Sequence, residues 1–92
     1  MEHIFYYRTA RGDEIDFAVG SDSNLRLIQV CWELGNREKT RERETRALFN
    51  GMKELQLQES WLITAYEEEE IKDKETGRII HVVPAYKWLL RK

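Results

Sequence analysis

Short runs with the two-residue period of strands fill both ends of this chain, and one long stretch with helical spacing divides them. His3 to Thr9 is rich in aromatic and β-branched residues and predicts a strand. Ala10 to Asp13, which contains Gly12, predicts a hairpin turn. From Glu14 to Val19, Ile15, Phe17 and Val19 alternate with Glu14, Asp16 and Ala18. That predicts a strand with one apolar face and Asp16 on the other. Gly20 to Asn24 is a turn by composition. Leu25 to Glu33 follows, apolar at most positions of both alternating sets, which predicts a central strand covered on both sides.

Gly35-Asn36 breaks that strand, and a helix is predicted from Arg37 or Thr40 to Leu55. Its first half is nearly all charge, while Leu48, Met52 and Leu55 recur at helical spacing in its second half. Trp61 to Tyr66 reads as a fourth strand. Glu67 to Lys72 and Arg78 to Val83 flank the turn Asp73 to Gly77 and predict a second hairpin. Pro84 ends that strand, and Ala85 to Lys92 reads as a short terminal helix. The order is β-β-β-α-β-β-β-α. Tight turns make the first three strands an antiparallel meander, and the helix between strands three and four implies a right-handed crossover to a parallel neighbour. The expected class is α/β, with a mixed sheet, a βββαβ core, a C-terminal hairpin strand and a short helix.

Ninety-two residues make a single domain spanning 1–92, with one modest core. A net charge of −2 supplies no global basic field for nucleic acid. A single cysteine excludes an internal disulfide and fits a reducing cytoplasm. No apolar run is long enough to cross a bilayer, so no membrane partner is expected. The start, Met-Glu-His-Ile-Phe-Tyr-Tyr, has no basic segment followed by a long apolar stretch and is not a signal peptide. It enters a strand almost at once, which suggests a fragment of a longer protein.

Candidate chemistry centres on the second and third strands. Residues two apart on a strand share a face, so Gln29 and Cys31 lie together, opposite Ile28, Val30 and Trp32. Gln29 inside an apolar strand needs a hydrogen-bond partner. A hard Mg²⁺ or Mn²⁺ ion prefers carboxylates to its neutral amide. Cys31 is a neutral thiol near pH 7. The Gly12-Asp13-Glu14-Ile15-Asp16-Phe17 string, followed by Leu27-Ile28-Gln29-Val30-Cys31, resembles the metal-binding strands of the PD-(D/E)XK nuclease superfamily. The resemblance implies a restriction-endonuclease-like fold. In that superfamily an acid on one strand holds the metal, and the next strand adds an acid and, two residues later, a lysine. Asp16 matches the first acid, whereas Gln29 and Cys31 stand at the places of the other two. The resemblance thus implies a nuclease fold without its chemistry. The helix that usually precedes the first strand in that superfamily is absent from the sequence.

A wider set of strings extends the likeness: Tyr6-Tyr7-Arg8, Arg43-Glu44, Ala47-Leu48 and Pro84-Ala85-Tyr86-Lys87-Trp88-Leu89-Leu90 join those already quoted. Together, over nearly the whole chain, they resemble the C-terminal domain of a mostly uncharacterised family of archaeal and bacterial AAA-type P-loop ATPases. That implies an accessory domain whose partner is the parent ATPase. The chain itself has no GxxxxGK[ST] and is not expected to bind ATP by that route.

Each candidate has a plainer alternative. Asp16 is either a vestigial metal position or a solvated strand residue. Gln29 is a satisfied core amide or a ligand, and Cys31 a small buried hydrophobe. Lys39, Arg41, Arg43 and Arg46 form either a solvated, internally paired helix face or contacts to phosphate or to the ATPase. Trp61, Tyr86 and Trp88 fit a core or helix-docking role better than base stacking, and Glu67 to Glu70 reads as an edge protected by charge. His3 and His81 have no spacing that implies a catalytic pair or a zinc set.

Three functions follow. The first is a non-catalytic accessory domain serving recognition or assembly, with no cofactor. The second is a Mg²⁺- or Mn²⁺-dependent DNA nuclease with a degenerate site, in which Asp16 with Glu14 or Glu33 holds metal and Lys39 or Arg43 replaces the lysine. The third is a module for dimerisation, or for binding the rest of a longer protein, through exposed edge strands and the terminal helix.

Overall fold

The computed structural model describes residues 3–21, 24–34 and 38–90. The expected element order is present: β1 (His3–Arg8), β2 (Glu14–Gly20), β3 (Arg26–Val30), α1 (Glu38–Leu55), β4 (Glu59–Thr64), β5 (Glu69–Lys72), β6 (Ile79–Pro84) and α2 (Ala85–Leu90). The six strands form one mixed sheet in the order β1-β2-β3-β4-β6-β5. β1, β2 and β3 are the antiparallel meander, β4 lies parallel to β3, and the β5–β6 hairpin joins through β6, parallel to β4. The expected end of the third strand at Gly35-Asn36, the centre of the 20–24 turn and the last two residues of the expected terminal helix lie outside the described residues.

α1 crosses one face of the sheet, against β2, β3, β4 and β6. Its buried stripe, Ala47, Leu48, Gly51 and Met52, meets Ile15, Ala18, Leu27, Leu62, Ile80 and Val82. Gly51 sits at the closest approach. A Cβ there would come within 2.5 Å of Ile15 Cδ1 and 2.9 Å of Leu27 Cδ1. The helix ends in a Schellman motif: the Leu57 amide donates to Met52 O and the Gln56 amide to Lys53 O, with Gln56 at φ 57°. The β5–β6 turn is closed by Gly77, whose φ of 77° suits a residue without a Cβ, and by bonds from Gly77 N and Thr76 Oγ1 to Asp73.

Two expectations about the sheet are corrected. β3 is shorter than Leu25 to Glu33 and is not covered on both sides. Val30 and Trp32 are 43% and 61% exposed, because α1 covers one face only. α2 reaches the other face just at β4 and β6, where Trp88 lies 6.3 Å from Trp61, which stacks on His81. The strict alternation expected of β2 also fails. Phe5 pairs with Ala18 but Tyr7 with Ile15, so two steps along β1 match three along β2. This β-bulge at Asp16-Phe17 resets the period. Ile15 and Ala18 both enter the core, and Phe17 is left 43% exposed.

Candidate functional site

The bulge governs what happens next to it. β2 and β3 are paired through Phe17–Ile28, Ala18–Leu27 and Val19–Arg26, and beyond these the ladder stops. Side chains then take over its hydrogen bonds. Gln29 Oε1 accepts the Asp16 amide at 2.8 Å, and Gln29 Nε2 donates to Glu14 O at 3.1 Å. In return the Val30 amide donates to Asp16 Oδ2 at 2.9 Å. Buried Gln29 is thereby satisfied at both ends of its amide, which meets the requirement that a polar group in an apolar strand find partners.

The separation of the strands and the first turns of α1 enclose a cleft of about 390 Å³. Asp16, Gln29 and Val30 form one side, Gly12, Asp13 and Glu14 the rim, and Arg43, Glu44, Arg46 and Ala47 the helix side. Asp13 is the best-held carboxylate. It accepts from Asn50 Nδ2 at 2.7 Å and Thr9 Oγ1 at 3.1 Å, and faces Arg46 Nε at 3.4 Å. The Asn50 bond is the main cause that holds its pKa below the usual aspartate value, against the opposing effect of burial. Arg8 lies 2.9 Å from Glu14 and, as the leading cause, lowers the Glu14 pKa. Arg43 pairs with the neighbouring Glu44 at 3.3 Å.

Of the residues expected to act together, Asp16, Gln29, Glu14, Arg43 and Arg46 all line this cleft. Cys31 instead packs against the core, and burial, followed by the charge of Glu44, pushes its thiol pKa up. It is a small, part-buried side chain that carries no charge near neutral pH. Lys39 and Arg41 are not in the cleft lining. Arg41 forms a two-pronged pair with Glu69 of β5, at 2.5 and 2.9 Å. Glu33 lines a separate groove with Trp32, Ala65, Tyr66 and Glu67. The helix-face arginines therefore pair chiefly with other elements, not along the helix as expected: Arg41 with β5 and Arg46 with the β1–β2 turn.

Asp13, Glu44 and Asn50 escaped the sequence reading. Asp13 looked like ordinary turn polarity, and nothing local links it to Asn50 across 37 positions. Glu44 stood in a run of alternating charge. Its side chain is only 14% exposed, a fact that helix packing decides.

The chemistry available in the cleft is limited. Four carboxylates (Asp13, Glu14, Asp16 and Glu44) face two guanidinium groups, so the cleft does not attract phosphate by charge. Among the described residues no group of three or more His, Cys, Asp or Glu side chains is placed to hold a metal ion. Among them, too, no helix is long and apolar enough to cross a membrane.

Over 95 aligned positions the chain is 37% identical to an uncharacterized protein of Methanocaldococcus jannaschii. The alignment covers 97% of this chain and 20% of that relative, so the chain spans about a fifth of the relative's length. No family model and no solved structure matches the chain.

Proposed function

We propose that this chain is a restriction-endonuclease-like domain without catalysis, acting in recognition or assembly as an accessory part of an AAA-type P-loop ATPase. One observation carries the reading. At the position where a nuclease of this kind would hold metal, the functional groups are engaged in holding the sheet together. Gln29 supplies its amide to Asp16 N and Glu14 O, and Asp16 gives a carboxylate oxygen to Val30 N. A metal ion would have to compete with those bonds, and Gln29 would offer it only a neutral oxygen. The raised thiol of Cys31 carries no positive charge to orient a phosphate.

The βββαβ order with a parallel β3–β4 pair agrees with this fold, as does a cleft at the splayed β2–β3 end. The much greater length of the archaeal relative agrees with an accessory role.

A second reading, a Mg²⁺- or Mn²⁺-dependent DNA nuclease with an altered site, is favoured by one specific arrangement. Arg43 shares the cleft with Asp13, Asp16 and Glu44, where it could replace the missing lysine. Calorimetric titration of Mn²⁺ into the chain and into Asp16→Ala, with both samples incubated with single- and double-stranded DNA, separates the two. The non-catalytic reading expects no cleavage in any sample. Stoichiometric Mn²⁺ binding with DNA cleavage, both lost in Asp16→Ala, would overturn it in favour of the nuclease.

A further inference from the structure

We propose that β1 is a self-association edge, pairing antiparallel with β1 of a second copy of this chain about Phe5. The proposal goes beyond the accessory-domain reading and stands whether or not that reading holds.

The two edges of the sheet are built differently. The β5 edge carries Glu69, Glu70 and Lys72, with Arg41 clamped on Glu69, a charge pattern that discourages another strand. The β1 edge presents Ile4, Phe5 and Tyr6, which are 70%, 42% and 56% exposed. Its one charge, Arg8, lies at the end of the strand and is paired with Glu14. An apolar edge of this kind is a template for strand addition.

The backbone sets the register. Thr9 turns both of its groups inward, its amide to Asp13 O and its carbonyl to the Gly12 amide, each at 2.9 Å. Alternation along the strand then directs the groups of Ile4, Tyr6 and Arg8 to the free edge. Two copies related by a two-fold axis at Phe5 set Ile4 of each against Tyr6 of the other, and each such pair exchanges both its N–H···O bonds. Phe5 meets its own counterpart at the narrow, non-hydrogen-bonded site, where aromatic pairs are favourable. His3 meets Tyr7. The pattern is self-complementary and brings no like charges together.

The area places the pair among small interfaces. A stable dimer buries roughly 800 Å² per partner, about an eighth of this chain's 6521 Å² surface. A six-residue edge offers less, so the dimer is weak and depends on concentration.

Sedimentation velocity of the 92-residue chain from about 10 µM to about 1 mM is the test. The expected result is a shift from monomer to dimer across that range. Tyr6→Lys raises the dissociation constant at least about tenfold, because each lysine faces Ile4 of the partner and removes an apolar contact at both ends. Its melting temperature stays near wild type, because the side chain is exposed and the lysine amine can take up the contact of the Tyr6 hydroxyl with Glu14. Glu70→Ala, on the opposite edge, leaves association unchanged. The register is read separately in a Cys31→Ser background, where Phe5→Cys cross-links two copies under mild oxidation and Tyr6→Cys does not. A single monomeric species throughout the range, unchanged association in Tyr6→Lys, or cross-linking at Tyr6 in place of Phe5 overturns the proposal.

Discussion

Gln29 and Asp16 replace the backbone ladder where β2 leaves β3: the Asp16 amide donates to Gln29 Oε1 at 2.8 Å, while Asp16 Oδ2 accepts the Val30 amide at 2.9 Å. The two residues that most suggest a metal site are thus the two that close the gap made by the bulge. Gln29→Leu keeps much of the volume but leaves Asp16 N and Glu14 O without partners in a part-buried position. The expected loss is about 2 kcal/mol, against under about 1 kcal/mol for Asp16→Asn, which keeps an acceptor for Val30. Urea unfolding measures both. Equal stability of Gln29→Leu and wild type would remove the structural role assigned here.

Asp13 links the β1–β2 turn to α1 through Asn50, Thr9 and Arg46. Its pKa is lower in the folded chain than the ordinary value near 3.8, so the folded state binds fewer protons than the unfolded one as pH falls through that range. The stabilisation is fully present above the unfolded value and disappears as pH falls through the folded one. Asp13→Asn is therefore expected to flatten the acid limb of the stability–pH curve below about pH 4. Melting temperatures measured from pH 2.5 to 7 in steps of about half a unit follow this. An acid limb as steep as that of wild type would assign the effect to other carboxylates.

The element order and the parallel β3–β4 pairing were legible because strand and helix periods, turn residues and the charged helix start all point the same way. What was not legible was set by pairing between strands. The bulge inserts one residue at Asp16-Phe17, and no composition rule marks it, so Phe17 was expected inside and Ala18 outside. The apolar run of β3 likewise gives no sign that one of its faces is uncovered. At the site, Gln29 was legible because an amide stands out in an apolar strand, and Asp16 because of the resemblance of its strand to a metal-binding motif. Asp13 and Asn50 were not, because their contact exists only once α1 lies on the sheet.

That seating of α1 depends on Gly51, whose missing Cβ lets Ile15 and Leu27 reach the helix. Gly51→Leu improves helix propensity by up to about 1 kcal/mol but forces a branched side chain into a filled interface. Overpacking typically costs about 1–3 kcal/mol, so the net change is expected to be destabilising. It should also widen the cleft edge at Ala47, one turn earlier. Chemical denaturation decides the sign, and a stabilised Gly51→Leu would mean that Ile15 and Leu27 reorient freely.

The helix C-terminus gives a change of opposite sign. Gln56 occupies the left-handed position of the Schellman motif at φ 57°, where a Cβ crowds the following carbonyl. Gln56→Gly removes that crowding and keeps the amide bonds to Lys53 O and from Leu57 to Met52 O. The expected gain is about 0.5–1 kcal/mol, reduced by the greater freedom of glycine in the unfolded chain. A lowered denaturation midpoint would show that the Gln56 side chain contributes more than its backbone strain costs.

Placing a carboxylate at position 29 tests structure and function together. In Gln29→Glu, Glu14 O loses its donor and a second acid is set beside Asp16 in a buried position. Repulsion and burial raise the pKa of the new acid, so the variant is expected to be less stable than wild type at pH 7 and to recover as pH falls. If the splayed β2–β3 end has the geometry of a metal site, Mn²⁺ binding to the paired acids offsets that loss. Saturating Mn²⁺, at about a hundred times its dissociation constant, would then stabilise the variant by about 2.7 kcal/mol while leaving wild type unmoved. Melting curves with and without Mn²⁺ read this directly. A metal-dependent rise in Gln29→Glu that vanishes when Asp16→Ala is added would support descent of this cleft from a metal-binding one. The same small response in all three proteins would count against the nuclease likeness, and the Gln29–Asp16 exchange would then be a strand repair alone.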